Sequence, residues 1–150
     1  MKCIANSIRI LLFTLLCPVQ ASHSQTTVTD TTGSGSACVI AKKLGDSIAI
    51  EWVLGEPSAT DAINRAKQAL RTRGYEDLFP QSSSSDAHGW MVIIKTQYQT
   101  YTGRERTSYG CGFSTQSPAQ AENNARNNLR AYSWGWKESL GYQVIESRQY

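Results

Sequence analysis

The chain has 150 residues, 40% hydrophobic and 18% charged, which is enough length and apolar content to bury a real core. Its 15 basic and 12 acidic residues give a formal net charge of +3, but Lys2 and Arg9 lie in an N-terminal export signal, and the remainder of the chain is close to neutral. Binding nucleic acid through counterion release needs a dense set of Lys and Arg, so that class of function has no electrostatic support.

Residues 1–21 describe a secretory signal peptide: Met1-Lys2 and Arg9, an apolar run over 10–16, then Cys17-Pro18 and small residues up to Ala21. The apolar run is too short to span a bilayer. Cleavage is expected after Ala21, with Ser24 as an alternative; a lipoprotein signal at Cys17 is disfavoured because the bulky Leu16 precedes it. The expected location is therefore secreted or periplasmic, with no stable membrane span. Removing the signal takes Cys3 and Cys17 with it and leaves Cys38 and Cys111, a pair that in an exported chain suggests one disulfide. Residues 22–36 are Ser-, Thr- and Gly-rich and lack apolar surface, so a disordered tether is expected there.

The folded domain is expected over residues 37–150. A first hairpin spans 38–44 and 47–54, turning at Gly45-Asp46, with Ile48, Ile50, Trp52 and Leu54 on one face. Pro57-Ser58 opens a helix to about Arg73 that buries Ala62, Ile63, Ala66, Ala69 and Leu70 and leaves Asp61, Arg65, Lys67 and Arg71 on a solvated face. A short strand near 75–79 precedes a polar Ser-rich linker at 81–86. A second hairpin comes next, with strands at 90–99 and 104–114, and places Tyr109, Cys111 and Phe113 on one side and Gly110 and Gly112 on the other. Paired glycines there point to a bulge, to close helix packing, or to a flat surface that a ligand approaches.

The second helix carries Ala121, Ala125, Leu129, Tyr132, Trp136 and Leu140 as one apolar stripe, and a strand after Gly141-Tyr142 closes the chain. Trp134 falls off the stripe, on the side of Asn123, Asn127 and Arg130. Either Gly135 breaks the helix and turns Trp134 inward, or an aromatic ring stands among amide and guanidinium groups on an open face. The second arrangement suits a sugar ring or a protein partner.

The two halves share a pattern. Ser58, Ala62, Ala66 and Leu70 recur as Ser117, Ala121, Ala125 and Leu129 at a constant spacing, which suggests internal repeats at about 37–80 and 88–150. In each, the Ser is an N-cap candidate and the small residues allow close approach to a sheet. The expected fold is α+β: an antiparallel sheet from two β-hairpin–helix–strand repeats, two helices on one face and one disulfide. Tyr109-Gly110-Cys111-Gly112-Phe113-Ser114, leading into Ala121, Ala125 and Leu129 and then Gly141-Tyr142-Gln143-Val144, resembles the repeat of SPOR domains. That resemblance implies an envelope module that binds peptidoglycan stripped of its stem peptides; the strand at 90–99 departs from the family's order. The hairpin-to-helix pattern is also similar to the end of a double-stranded RNA-binding domain, without that family's Lys-rich helix start.

Catalytic, metal and cofactor motifs are missing from the sequence. His23 lies in the tether and His88 is a lone loop histidine; zinc spacing, EF-hand and phosphate-loop patterns are absent. The expected function is a non-catalytic exported binding module for cell-wall glycan or another secreted protein, with Trp134, Arg130, Asn127, Tyr101 and Arg104 as candidate contacts. The alternatives are an inhibitor or immunity protein for a secreted enzyme, and a small hydrolase using His88 with Asp86 or Asp77. Glu51 and Glu105 could also be drawn as a glycosidase pair.

Overall fold

The computed structural model describes residues 33–150. The expected export signal, most of the expected tether, Cys3, Cys17 and His23 lie outside the described residues. In order, the elements are β1 (Gly35–Lys43), β2 (Asp46–Glu56), α1 (Ala59–Thr72), β3 (Leu78–Ser84), β4 (Trp90–Gln99), β5 (Glu105–Ser114), α2 (Pro118–Tyr132), a 3₁₀ turn (Glu138–Leu140) and β6 (Gln143–Gln149). They form an α+β structure with two antiparallel three-stranded sheets, ordered β2-β1-β3 and β5-β4-β6.

The expectation of one sheet with both helices on one face is therefore corrected, and the strand patterns supply the reason. Ala37, Val39, Ala41 and Val53 face α1, while Cys38, Ile40, Ile50, Trp52 and Leu54 point the other way. In the second sheet, Val92 and Ile94 face α2, while Met91, Ile93, Cys111 and Phe113 point the other way. A single sheet with both helices on one side would leave the whole second set in water. Stacking the sheets joins that set into a central core, with one helix on each outer face. The central strands β1 and β4 are thus buried on both sides, which is why they read as continuous apolar runs rather than as an alternation.

Cys38 in β1 and Cys111 in β5 are joined by a disulfide across this central core, and both are fully buried. Both helices start as expected: the Ser58 and Ser117 hydroxyls accept from the Asp61 and Gln120 amides, each at 3.1 Å. Gly110 and Gly112 serve close helix packing. A Cβ at Gly112 would lie 2.2 Å from the Ala121 carbonyl oxygen, and one at Gly110 would lie 2.2 Å from that of Ala125.

Three boundaries differ from expectation. β1 begins at Gly35, so Ser36 is buried strand rather than tether. β3 lies at Leu78–Ser84, so the Ser-rich segment pairs with β1 instead of linking two units. α2 ends at Tyr132, so Tyr132 and Leu140 are exposed, while Trp136 joins Ala121, Ala125 and Leu129 in the core from beyond the helix. Ile48, at the start of β2, also lies partly in solvent instead of in the core.

Candidate functional site

The surface opens into one of several clefts at the end of α2. α2 runs back along β5, with Ala121 over Gly112 and Leu129 over Gly110, and stops while the β4–β5 hairpin continues to its tip. That tip is a tight turn: the Thr100 amide donates to the Arg104 carbonyl at 2.8 Å, the Gly103 amide donates to the Thr100 carbonyl at 2.9 Å, and Gly103 has φ +76°. With no helix above them, Tyr98, Thr100 and Arg106 form a floor instead of a buried interface.

The β1–β2 turn closes one side of this floor. Arg106 donates from its guanidinium to the Leu44 carbonyl, and the Thr107 amide donates to Asp46 Oδ1 at 2.6 Å. These bonds hold the turn against β5 and bring Lys42 and Ser47 to the rim. The Lys42 ammonium sits 5.1 Å from the Phe79 ring centre and 6.0 Å from that of Tyr132, within cation–π range of both. The result is a cleft of about 350 Å³ between two hairpin turns and a helix end.

Trp134 and Trp136 take opposite roles in the third wall. Trp136 is only 5% exposed; its indole N–H donates to the Gly141 carbonyl at 3.1 Å, and its amide donates to the Ser133 carbonyl at 2.9 Å. Anchoring Trp136 turns the chain, and Trp134 is left 97% exposed over the cleft. Between them, Gly135 lies against Tyr98, where a Cβ would come within 2.8 Å of the ring. The inward alternative for Trp134 is thereby corrected: the helix ends before Gly135, and it is Trp136 that goes in.

Of the five residues singled out from sequence, Trp134, Tyr101 and Arg104 line this cleft. Arg130 and Asn127 do not. Arg130 pairs with Glu138 and bonds Asn127 Oδ1 at 3.1 Å on the exposed side of α2. The structure adds Tyr98, Tyr132, Lys42 and Arg106. Tyr98 and Arg106 are cross-strand partners in β4 and β5, so the hairpin register alone could have placed them together. Lys42 comes from the other sheet, and no local signal reports it.

The charge on the cleft is one-sided. Lys42, Arg104 and Arg106 line it, no carboxylate does, and none of the three is ion-paired among the described residues. Asp46 and Glu105 line a separate depression together with Arg106 and Thr107. The carbonyls at the end of α2 add an opposing partial charge of about half an electron, small against three full cations.

The catalytic alternatives find no assembled site. His88 is exposed and has no hydrogen bond to a carboxylate or hydroxyl among the described residues, while Asp86 accepts from the Ser84 hydroxyl at 2.6 Å. Glu51 is buried under α1 beside Arg73, and Glu105 is exposed near the β4–β5 turn, so the two share no cleft. Among the described residues no cluster of His, Cys, Asp and Glu could hold a metal ion, and no helix is long and apolar enough to cross a membrane. Compared with known proteins, the chain matches no family model, no curated sequence and no solved structure.

Proposed function

We propose that this is an exported, non-catalytic binding module that holds a cell-wall glycan or a secreted protein in the cleft between its two hairpin turns. One observation carries the reading: Trp134 and Tyr101 both line a pre-formed cleft and are almost completely exposed. Burying an aromatic side chain of this size stabilises by roughly 1.5–3 kcal/mol, a gain forgone here by two rings on a fold that buries Trp52 and Trp136. A ligand that stacks on them recovers it. Export is supported by the signal-like residues 1–21 and by the disulfide, which persists in oxidising compartments.

Binding of the exported protein to insoluble cell-wall material, beside its Trp134→Ala variant, tests the proposal. Because Trp134 makes almost no internal contact, the variant should unfold at the same temperature as the parent while its retention falls about tenfold, in line with the loss of one stacked ring. Retention unchanged in a folded variant would remove the cleft from the function. Capture of one secreted protein without wall retention would make the chain an inhibitor or immunity factor instead.

The two halves are further proposed to descend from one hairpin–helix–strand unit. Support comes from the matching strand orders, each with the first strand of its half in the centre, and from the equivalent seats of Ala62, Ala66 and Leu70 and of Ala121, Ala125 and Leu129 against their sheets.

A further inference from the structure

Resting on the assignment of the cleft as the ligand site, we propose that its ligand is an acidic polysaccharide, a glycan whose sugars carry carboxylate groups. Three features of the cleft converge on that chemistry. Trp134 and Tyr101 offer exposed ring faces, against which the C–H face of a pyranose packs. The Thr100 and Thr102 hydroxyls border the same space, bonded to each other at 3.0 Å, and the exposed Thr102 hydroxyl has capacity left for a sugar hydroxyl. Lys42, Arg104 and Arg106 bring three cations with no lining carboxylate to neutralise them.

The third feature separates an acidic from a neutral glycan. Three like charges facing one cleft repel each other, and a neutral sugar would leave that repulsion in place while displacing the water that screens it. A carboxylate relieves it and gains charge-assisted hydrogen bonds, with the Arg104 guanidinium suited to bidentate pairing. Arg104 is exposed and has no ion pair among the described residues, so its head is free to turn to a ligand. A volume near 350 Å³ sits at the lower end of the range of about 300–1,000 Å³ typical of small-ligand sites, which suits one or a few sugar units of a longer chain rather than a folded protein surface. Nucleic acid fits less well, since three cations on a nearly neutral chain do not match a continuous phosphate array.

The probe is polygalacturonate, compared with its fully methyl-esterified form, which has the same sugar backbone but no charge. Both are titrated with the exported protein and with the Trp134→Ala and Arg104→Gln variants, alongside vesicles of phosphatidylglycerol and the cell-wall retention assay. The expected result is binding to the acid form only, weakened about tenfold in Trp134→Ala and several-fold in Arg104→Gln, with affinity falling as salt rises. Equal binding to both forms would overturn the acidic ligand and leave a glycan site. Wall retention without binding to either polymer would do the same, while failure on wall and polymers together would overturn this proposal and remove the glycan reading of the cleft with it, leaving a secreted protein as its partner. Acid-form binding that ignores Trp134→Ala would show diffuse charge attraction and overturn the proposal. Vesicle binding in place of polymer binding would overturn it in favour of a lipid surface.

Discussion

Glu51 occupies a position in β2 that faces α1, where its neighbour Val53 packs against apolar side chains. It is 5% exposed, and Arg73, at the C-cap of α1, donates to its Oε2 at 2.9 Å. Burial pushes the Glu51 pKa above the ordinary carboxylate range, and the nearby Arg73 charge pulls it back only in part. A raised carboxyl pKa means that the folded protein holds this proton to higher pH than the unfolded chain does. Stability from this group is therefore greatest below the unfolded value of about 4.3 and declines as pH rises through the folded value, after which the cost is constant. Glu51→Gln keeps an acceptor for Arg73, whose side chain is partly solvated, and carries no charge to desolvate. The variant should be at least as stable as the parent at neutral pH and should lose the decline seen as pH rises above about 4.3, as measured by urea unfolding at several pH values. A variant destabilised at neutral pH would show that the ion pair outweighs its desolvation. Single residues were unevenly legible in the sequence. Helical periodicity placed Trp134 and Trp136 on different sides, and the structure does separate them. Which side faces water depends on the helix ending at Tyr132, beyond which Trp136 reaches the Gly141 carbonyl, a partner that helical periodicity does not report.

At the scale of elements, α2 lies directly on the glycines of β5, and two polar side chains lock it there. Asn124 donates to the Phe113 carbonyl at 2.7 Å, and Asn128 accepts from the Cys111 amide at 3.1 Å. These bonds occupy backbone groups on the open edge of β5, which would otherwise be free to pair with another strand. Asn128 also donates to the Gln81 carbonyl at 2.8 Å, and Gln81 donates to the Tyr109 carbonyl at 3.1 Å, so β3 joins the same seam. The displacement of β3 from its expected place has its reason here. Its Ser-rich, Pro-containing segment has the composition of a linker, but as an edge strand it can hold Pro80, and it is ordered by partners more than 25 residues away. The glycines were legible because a strand side bare of side chains has few uses. Gly112→Ala should displace α2, since the added Cβ would meet backbone atoms of Ala121 and Ala125 that cannot rotate away. A loss of roughly 1–3 kcal/mol, as for other overpacked sites, is expected in chemical denaturation. An unchanged midpoint would mean that α2 slides along β5 without cost.

For the whole molecule, α+β character and the single disulfide were legible in the sequence, whereas the stacking of two sheets was not. Periodicity says that a strand has two apolar faces but not what covers the second. The decisive fact is tertiary: Ile40, Trp52, Ile93 and Phe113 belong to different halves of the chain yet form one core. The cleft depends on the same stacking, because Lys42 reaches the β4–β5 hairpin only when the sheets lie face to face. Between those sheets the Cys38–Cys111 bond is the sole covalent link among the described residues besides the chain itself, and it closes a separation of 73 residues. In the chain-entropy model a loop of this length is worth about 4 kcal/mol, a large share of the roughly 5–15 kcal/mol typical of a domain. The test is a double replacement, Cys38→Ala with Cys111→Ala, chosen because both sites are fully buried and a Ser hydroxyl there would add its own penalty. The urea midpoint should fall by about 2 M for a slope near 2 kcal/mol per molar, and wall retention of the folded fraction should persist, because the disulfide lies in the core and not in the cleft. A loss under about 1 kcal/mol would show that apolar packing alone holds the sheets together; a folded double variant that no longer binds would show that the bond also sets the relative position of the two hairpin turns.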